Sequence, residues 1–289
     1  MILGTVELGL AYGINNKQGK PNIDQAIEVL NAAWKGGIRE LDTAAAYGDS
    51  EVIIGKYQET YGNKFKIDTK LPVSLDGSTL QDEFEKSCRR LKTDIINVLY
   101  LHSFEQCKDD DNIALLESLR DEGRIRHIGI SVYEPNEMRY IEEHLPMVDV
   151  IQFPFNVFDN RRWMDNDLLA DVRKKGILLY ARSIYLQGLV FRDADDPFVS
   201  KLNIKPYVEH LHNLCQKERK PPHQFAYNYV CGIPEISDCL LGCDSDSQVK
   251  ENIKIMSEYE KLPDTVVSSL ENYMCGIPQI AIDPRRWNS

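Results

Sequence analysis

The feature that most constrains this chain is a regular alternation of short apolar, β-branched runs with longer amphipathic stretches. Eight such runs can be counted, namely ILGTVEL, GIRELDT, FKIDTKL, INVLYLH, HIGISV, VDVIQF, ILLYARS and DCLLGC. Apolar residues at helical spacing lie between them, for example over 23–34, 80–91, 113–119 and 168–175. The sequence therefore predicts eight buried strands joined by helices.

Strands that are joined by helices pair in parallel, because a hairpin cannot connect them, and the helices then cover the outer face of the sheet. Eight such units without a break in composition predict one α/β domain over residues 1–289, a closed (β/α)8 TIM barrel. Residues 262–289 are expected to form a tail that packs on the barrel. An open doubly wound sheet is the competing fold, although no Gly-x-Gly-x-x-Gly follows the first strand.

The charge and cysteine content limit the partners and the compartment. A net charge of −11 with scattered basic residues disfavours a nucleic-acid surface, and no apolar run approaches the ~20 residues of a membrane span. Six histidines without ligand spacing disfavour a metal site. Seven cysteines without a C-x-x-C pair predict reduced thiols in the cytoplasm. We expect a cytoplasmic monomer or weak homo-oligomer that acts on a small molecule.

Polar residues stand at the ends of several predicted strands. The carboxyl ends of barrel strands and the loops after them form the active face of such folds. We therefore expect these strand-end side chains to converge on one mouth: Asp42, Lys70, His102, Ser131, Gln152 and Ser183.

Four of the residues in this region suggest a reaction. Tyr47 follows the strand-end Asp42 by five residues, and its phenol, with an ordinary pKa of about 10, needs a nearby cation to become a useful acid. Lys70 supplies that cation and Asp42 its counter-charge. Tyr47 would then protonate a carbonyl oxygen as a hydride reaches the carbon, with His102 orienting the proton. Each residue taken alone also fits an ordinary structural role, so the prediction depends on their joint placement.

Seven segments in this order resemble the aldo-keto reductase family over nearly the whole chain: LDTAAAYGDSE, KIDTKLP, INVLYLH, GRIRHIGISV, VIQFPFNVFDNR, ARSIYLQGLV and LLGCDSDSQVKENI. The resemblance implies a (β/α)8 barrel, NADPH or NADH as cofactor, no metal, and a catalytic tetrad of Asp42, Tyr47, Lys70 and His102. The substrate that it implies is a small aldehyde or ketone, including sugar-derived ones.

The resemblance also implies where the cofactor binds. Ser131 and Gln152 would hold the nicotinamide carboxamide, and Glu251 and Asn252 would meet the adenine. The full expected cofactor set is Gly4, Thr5, Ser131, Gln152, Arg182, Ser183, Gln187, Gly188, Gly242, Gln248, Glu251 and Asn252. The aromatic residues expected to line the substrate pocket are Tyr12, Tyr185 and Trp287.

Three departures from the family pattern bear on the cofactor. Val132 replaces the usual Asn after the carboxamide-binding Ser, which removes one hydrogen bond. Arg182 stands where an aromatic ring commonly stacks on the nicotinamide, and its planar guanidinium can stack in the same way. Gly242 and Gln248 replace the basic residues that grip the 2′-phosphate of NADPH in many relatives. We therefore expect that NADH is usable.

Two other function classes stay open on the sequence alone. One is a cofactor-sensing regulatory subunit with little or no turnover, which the changes at Val132 and Arg182 would allow. The other is a barrel hydrolase or isomerase with a metal or phosphate site, which the scarcity of strand-end histidines disfavours.

Overall fold

The eight predicted runs form a closed barrel of parallel strands. The computed structural model describes residues 1–14, 16, 19–62, 64–159, 163 and 167–287. Within this described part the strands are β1 (Ile2–Gly4), β2 (Glu40–Asp42), β3 (Lys66–Leu71), β4 (Ile96–Leu101), β5 (Ile125–Ser131), β6 (Val150–Pro154), β7 (Leu178–Arg182) and β8 (Asp238–Gly242). Each strand pairs in parallel with the next in sequence, and β8 pairs with β1. The predicted (β/α)8 barrel is confirmed, and the open sheet is excluded.

Helices follow the strands and cover the outside of the barrel. They are α1 (Val6–Gly9), α2 (Ile23–Lys35), α3 (Ser50–Tyr61), α4 (Leu80–Leu91), α5 (Asp110–Asp121), α6 (Pro135–His144), α7 (Leu168–Lys174), α8 (Pro197–Lys201), α9 (Lys205–Lys217), α10 (Pro222–Cys231), α11 (Asp246–Ser257), α12 (Asp264–Met274) and α13 (Gln279–Ile282). Short 3-10 helices span Phe104–Lys108, Leu186–Phe191 and Pro284–Arg286. No helix in the described ranges combines the length and the apolar character needed to cross a bilayer.

Local sequence sets the beginnings of the longer helices. The Asn22 side chain accepts a hydrogen bond from the backbone N–H of Gln25, and the Gln25 side chain accepts one from the backbone N–H of Asn22, so α2 starts with a capping box. Thr79 and Asp82 form the same arrangement at the start of α4. These caps satisfy backbone donors that the first helical turn leaves without partners.

The core has two parts because successive strand residues point to opposite faces of the barrel wall. Alternate residues face outwards and pack against the helices, as Leu41, Ile67 and Leu99 do. The others fill the barrel interior with a smaller apolar cluster of Ile2, Val98, Tyr100, Val150, Tyr180 and Leu240. This cluster helps to close the barrel.

Two neighbouring acidic side chains, of which Asp68 is buried and Glu40 half-buried, also lie on the strands. Asp68 on β3 is fully buried, and its Oδ1 accepts a hydrogen bond of 2.8 Å from Asn97. Burial, together with the neighbouring carboxyl group of Glu40, raises the pKa of Asp68 well above its ordinary value. The Asp68 carboxyl group is therefore protonated more readily than one in water.

The C-terminal segment returns to the barrel. Helix α12 packs against α9, and Ile282 and Arg285 reach the cavity described below. The indole of Trp287 is buried, donates a hydrogen bond of 2.9 Å to the Ile280 carbonyl and packs edge-on against Phe198. Trp287 thus fastens the segment to the protein.

Candidate active site

A cavity of about 670 Å³ opens at the carboxyl ends of the barrel strands. It brings together the four residues of the predicted tetrad, all of the predicted cofactor residues, and Tyr12 and Tyr185. Trp287 is not among the lining residues, because its indole is buried against Phe198 instead. The expectation that Trp287 lines the substrate pocket is corrected accordingly.

A buried ion pair lies at the bottom of this cavity. Lys70 Nζ donates hydrogen bonds to Asp42 Oδ1 at 2.6 Å and to the Thr43 carbonyl at 2.9 Å. The second carboxylate oxygen of Asp42 accepts a hydrogen bond of 2.8 Å from Gln152 Nε2. Burial lowers the pKa of Lys70, and the Asp42 carboxylate opposes that shift. Adjacent strands β2 and β3 supply the two charges, and β6 supplies the amide that holds Asp42.

Tyr47 lies above this pair on the loop that joins β2 to α3. Lys70 Nζ is 5.1 Å from the centroid of the Tyr47 ring. The ring of His102, which follows β4, meets the Tyr47 ring edge-on with centroids 6.1 Å apart. The phenol, the ammonium and the imidazole therefore face the same small volume.

The position of the loop that carries Tyr47 is fixed by a contact between two main-chain segments. A Cβ at Gly9, the last residue of α1, would lie 1.8 Å from the Tyr47 carbonyl oxygen. A Cβ at Gly48 would lie 2.3 Å from the Gly9 carbonyl oxygen, and Gly48 also has a positive φ of 56°. Glycine is required on both sides because backbone packs directly against backbone there.

The protonation states in this group leave a proton on the phenol and none to spare on the imidazole. Burial and the Asp42 carboxylate raise the pKa of Tyr47, while Arg182 opposes the shift. Burial, Lys70 and Arg182 lower the pKa of His102 to about 3. At neutral pH the phenol is therefore protonated and the imidazole is neutral.

This result differs from the prediction that Lys70 favours the phenolate. The ammonium is bonded directly to Asp42, whose negative charge offsets its field at the phenol. Burial of the ring therefore outweighs the nearby cation. The proton of Tyr47 stays in place until a stronger base forms beside it.

Ser131 and Gln152 offer a site for a carboxamide. They lie opposite each other in the register of β5 and β6, and both are buried. Gln152 Oε1 has no hydrogen-bond partner within the described residues, because the amide nitrogen of the same side chain is used on Asp42. A carboxamide NH2 group placed there would satisfy this acceptor, so the residues fit the nicotinamide end of a dinucleotide. Val132, which stands where the family usually has Asn, is buried and offers no side-chain hydrogen bond here.

The loop after β7 contributes backbone to the cavity wall. Ser183, Leu186, Gln187 and Gly188 all have positive φ angles, so the chain turns sharply along the cavity. Gln187 Nε2 donates a hydrogen bond of 3.1 Å to the hydroxyl of Tyr12, which ties this loop to the one after β1. Of the predicted residues here, Ser183, Gln187 and Gly188 line the cavity.

The end of the cavity beside β1 and β8 is acidic, because the carboxyl groups of Asp244 and Glu251 line it. Its polar contacts are short: Asn252 Nδ2 lies 3.1 Å from Cys243 Sγ, and Gln248 accepts a hydrogen bond of 3.0 Å from the backbone of Asp244. Glu251 lies 3.6 Å from His223 Nε2. Gly4 and Gly242 pair across β1 and β8, and Thr5 donates to the Asp42 carbonyl. Of the residues in this region, Asp244, His223 and Cys243 were not predicted from the sequence as site residues, whereas the others were.

Glu7 belongs to the same acidic end and was not predicted. A Cβ at Gly242 would lie 2.2 Å from Glu7 Oε1, so the carboxyl group packs directly on the end of β8. Burial, together with Asp244, raises the pKa of Glu7 to about 7. Nothing in the sequence around Glu7 distinguishes it from a surface carboxylate, because its position depends on closure of the barrel between β1 and β8.

A second group in the cavity wall joins one predicted residue, Arg182, to two unpredicted ones, Tyr133 and Arg285. The guanidinium carbon of Arg182 is 4.2 Å from the centroid of the Tyr133 ring, and that of Arg285 is 3.7 Å from it. In the structure the Arg182 guanidinium lies over the Tyr133 ring, and its stacking on the nicotinamide stays a prediction. The sequence signal for Tyr133 is its place just after β5, whereas Arg285 in the tail gave none.

Within the described ranges no group of three His, Cys, Asp or Glu side chains is arranged to hold a metal ion.

Known proteins share both the sequence pattern and the fold. The chain matches the model of the Aldo/keto reductase family over residues 1–273. It is 24% identical over 295 residues to the uncharacterized oxidoreductase YqkF of Bacillus subtilis, covering 94% of this chain and 95% of that protein. It is also 24% identical over 272 residues to the NADH-specific methylglyoxal reductase of Escherichia coli, covering 80% and 82%.

A solved structure with a similar fold is the aldo-keto reductase AKR11C1 from Bacillus halodurans in its holo form. The TM-score is 0.78 at 20% identity, and the match covers 98% of this chain and 95% of that one. The whole barrel of this chain therefore has a counterpart in a solved protein.

Proposed function

Because this chain belongs to the aldo/keto reductase family of NAD(P)H-dependent oxidoreductases, we propose that it reduces a small aldehyde or ketone to an alcohol with Tyr47 as the general acid. The observation that carries this proposal is the connected group of Asp42, Lys70, Tyr47 and His102 in one cavity. The name of the methylglyoxal reductase from Escherichia coli supports a small carbonyl compound as substrate.

The reaction needs one hydride and one proton. When held beside Ser131 and Gln152, a reduced nicotinamide would supply the hydride to the carbonyl carbon, which would leave the π electrons of the C=O bond on the carbonyl oxygen. The protonated phenol of Tyr47 then gives its proton to that oxygen, and solvent restores the phenol. The Lys70 ammonium, 5.1 Å from the ring centroid, opposes the cost of forming the transient phenolate to the extent that Asp42 leaves its charge uncompensated, and neutral His102 orients the carbonyl oxygen by a hydrogen bond. Asp42 keeps Lys70 charged and in position, which makes it a positioning residue.

Several cavity residues would hold the cofactor. Ser131 and the unpaired Gln152 Oε1 suit the carboxamide, while Gly242 and Asn252 belong to the opposite end. We propose that NADH is usable because Glu7, together with Asp244 and Glu251, makes that end acidic and unfavourable for an additional phosphate. Steady-state kinetics with both cofactors test this proposal, and a strong preference for NADPH would overturn it.

The decisive experiment compares two phenols near the same ammonium. Tyr100 lies in the barrel interior with its ring centroid 5.6 Å from Lys70 Nζ, but it does not line the cavity. Tyr47→Phe should lower kcat by about 10²–10⁴ while cofactor binding, followed by fluorescence titration, stays intact. Tyr100→Phe should keep turnover.

Full activity of Tyr47→Phe on a broad carbonyl panel would refute the role of the phenol. Tight binding of reduced cofactor by the wild-type protein, with no turnover of any carbonyl in the panel, would instead favour the cofactor-sensing regulatory subunit. In that case a stable partner should be recovered in pull-down experiments.

We further propose a cytoplasmic monomer or weak homo-oligomer. The cysteine pattern supports a reducing compartment, since all seven thiols are free. Cell fractionation and size-exclusion chromatography with light scattering test the two parts of this proposal.

A further inference from the structure

Two guanidinium groups converge on one aromatic ring beside the reacting residues. Arg182 comes from the end of β7, Tyr133 follows β5, and Arg285 comes from the 3-10 helix Pro284–Arg286. All three line the same cavity as Tyr47 and His102. Because both guanidinium carbons lie within 4.2 Å of one ring centroid, the two cations are neighbours. Both guanidinium groups are close enough to the Tyr133 ring for cation–π attraction.

The charges at this place do not cancel. Arg182 forms no ion pair within the described residues, and its Nη2 donates a hydrogen bond of 3.2 Å to the Val132 carbonyl. Asp283 binds Arg285 through two hydrogen bonds of 2.8 Å and also binds Arg286 at 3.2 Å, so one carboxylate faces two guanidinium groups. The Lys70 ammonium is balanced by Asp42.

Two further carboxylates lie nearby and limit the positive charge. Glu137 Oε2 accepts hydrogen bonds from the backbone of Tyr133 at 2.7 Å and of Glu134 at 3.1 Å, at the start of α6. Glu134 contributes to the electrostatic environment of Arg285. Neither residue lines the cavity, whereas Arg182, Arg285 and Asp283 do. The cavity wall formed by these residues therefore carries two guanidinium groups against one carboxylate, in a chain of net charge −11.

We infer that the carbonyl substrate carries a carboxylate or phosphate group, which Arg182 and Arg285 bind while the carbonyl oxygen meets Tyr47. This inference rests on the proposed reductase function and names its substrate class. A planar guanidinium binds either anion through two parallel hydrogen bonds, and a pair of them fixes the far end of a short substrate. The cation left without a carboxylate in this wall then finds its counter-charge in the substrate.

Matched substrates test the inference. Succinic semialdehyde is compared with methyl 4-oxobutanoate, its uncharged ester, and glyceraldehyde 3-phosphate with glyceraldehyde. We expect kcat/KM to favour the charged member of at least one pair by about tenfold or more, and the advantage to shrink as salt concentration rises. Whichever pair shows the advantage identifies the anion.

Variants locate the effect. Arg285→Gln and Arg182→Gln should bring the ratio of kcat/KM between the charged and uncharged substrates close to one, mainly through the KM of the charged one. Arg286→Gln is the matched control, because Arg286 binds the same Asp283 but does not line the cavity, and it should keep the ratio.

The outcomes separate this inference from the reductase proposal. Equal kcat/KM for charged and uncharged substrates in the wild type overturns the inference and leaves the reductase. An unchanged ratio in Arg182→Gln, with a raised Kd for reduced cofactor, assigns that cation to the cofactor and also overturns it.

If no carbonyl is turned over, calorimetry of 4-hydroxybutanoate and 1,4-butanediol with the oxidised-cofactor complex decides. Equal or no binding of the two overturns the inference, and selective binding of the carboxylate supports it.

Discussion

Replacing Lys70 alone should destabilise the protein more than replacing both members of its ion pair. Lys70 is 1% exposed, and Lys70→Met removes the contacts to Asp42 Oδ1 and to the Thr43 carbonyl. The Asp42 carboxylate is then left buried with the Gln152 amide as its remaining side-chain donor. Removing one partner of a buried pair costs about 3–5 kcal/mol of unfolding free energy.

The double variant Asp42→Asn/Lys70→Met leaves no buried charge at this position. We expect its free energy of unfolding to lie within about 1–2 kcal/mol of the wild type, because neutral replacements of a buried pair are often tolerated. Urea denaturation followed by tryptophan fluorescence and circular dichroism measures all four members of the cycle. Lys66→Met, at an exposed site on the same strand, is the control and should change stability by less than about 0.5 kcal/mol.

Additive losses would refute the reasoning. If the double variant is destabilised by the sum of the two single changes, Lys70 and Asp42 do not interact in the folded protein. Unfolding is measured without substrate or cofactor. The loss of turnover that we expect in both single variants therefore does not affect the comparison of their stabilities.

Four further changes should have defined effects. Gly9→Ala should reduce kcat because the new Cβ displaces the Tyr47 loop, which kinetics on the folded variant would reveal. Since the pKa of Glu7 is about 7, its charge appears as pH rises from 6 to 8, so kcat/KM for NADPH relative to NADH should fall over that interval and stay flat in Glu7→Gln. Asp68→Asn should be at least as stable as the wild type in urea denaturation. Because the pKa of Asp68 is raised in the folded protein, the wild type loses stability as pH rises above the ordinary Asp pKa, and the difference in unfolding free energy between variant and wild type should widen there. Trp287→Ala should cost about 3–5 kcal/mol in the same assay and raise KM more than it lowers kcat.

The barrel and the centre of its site were predictable from local sequence. Eight apolar runs separated by helical spacing leave few topologies, and parallel strands bring their carboxyl ends to one edge. Asp42, Lys70 and His102 therefore met in space because each ends a strand in consecutive units. Tyr47 followed because the short loop after β2 keeps it above Asp42.

The remaining parts depend on tertiary packing that a local pattern does not contain. Because of the path that the C-terminal segment takes, Arg285 reaches the cavity, whereas Trp287 is buried and holds that segment against the protein. The position of Glu7 depends on the junction between the first and last strands. The raised pKa of Tyr47 depends on how deeply the finished fold buries the ring, which spacing along the chain does not reveal.

The backbone contact between Gly9 and the Tyr47 loop makes the position of the Tyr47 phenol independent of the side chains that line the rest of the cavity. Since two peptide segments fix the Tyr47 loop, we expect that exchanging other side chains of the cavity wall, such as Tyr12 or Tyr133, leaves the proposed proton donor where it is. A mutant library aimed at new substrates can therefore vary those walls widely. The same library should leave Gly9 and Gly48 untouched, because even one added methyl group there would move the donor itself.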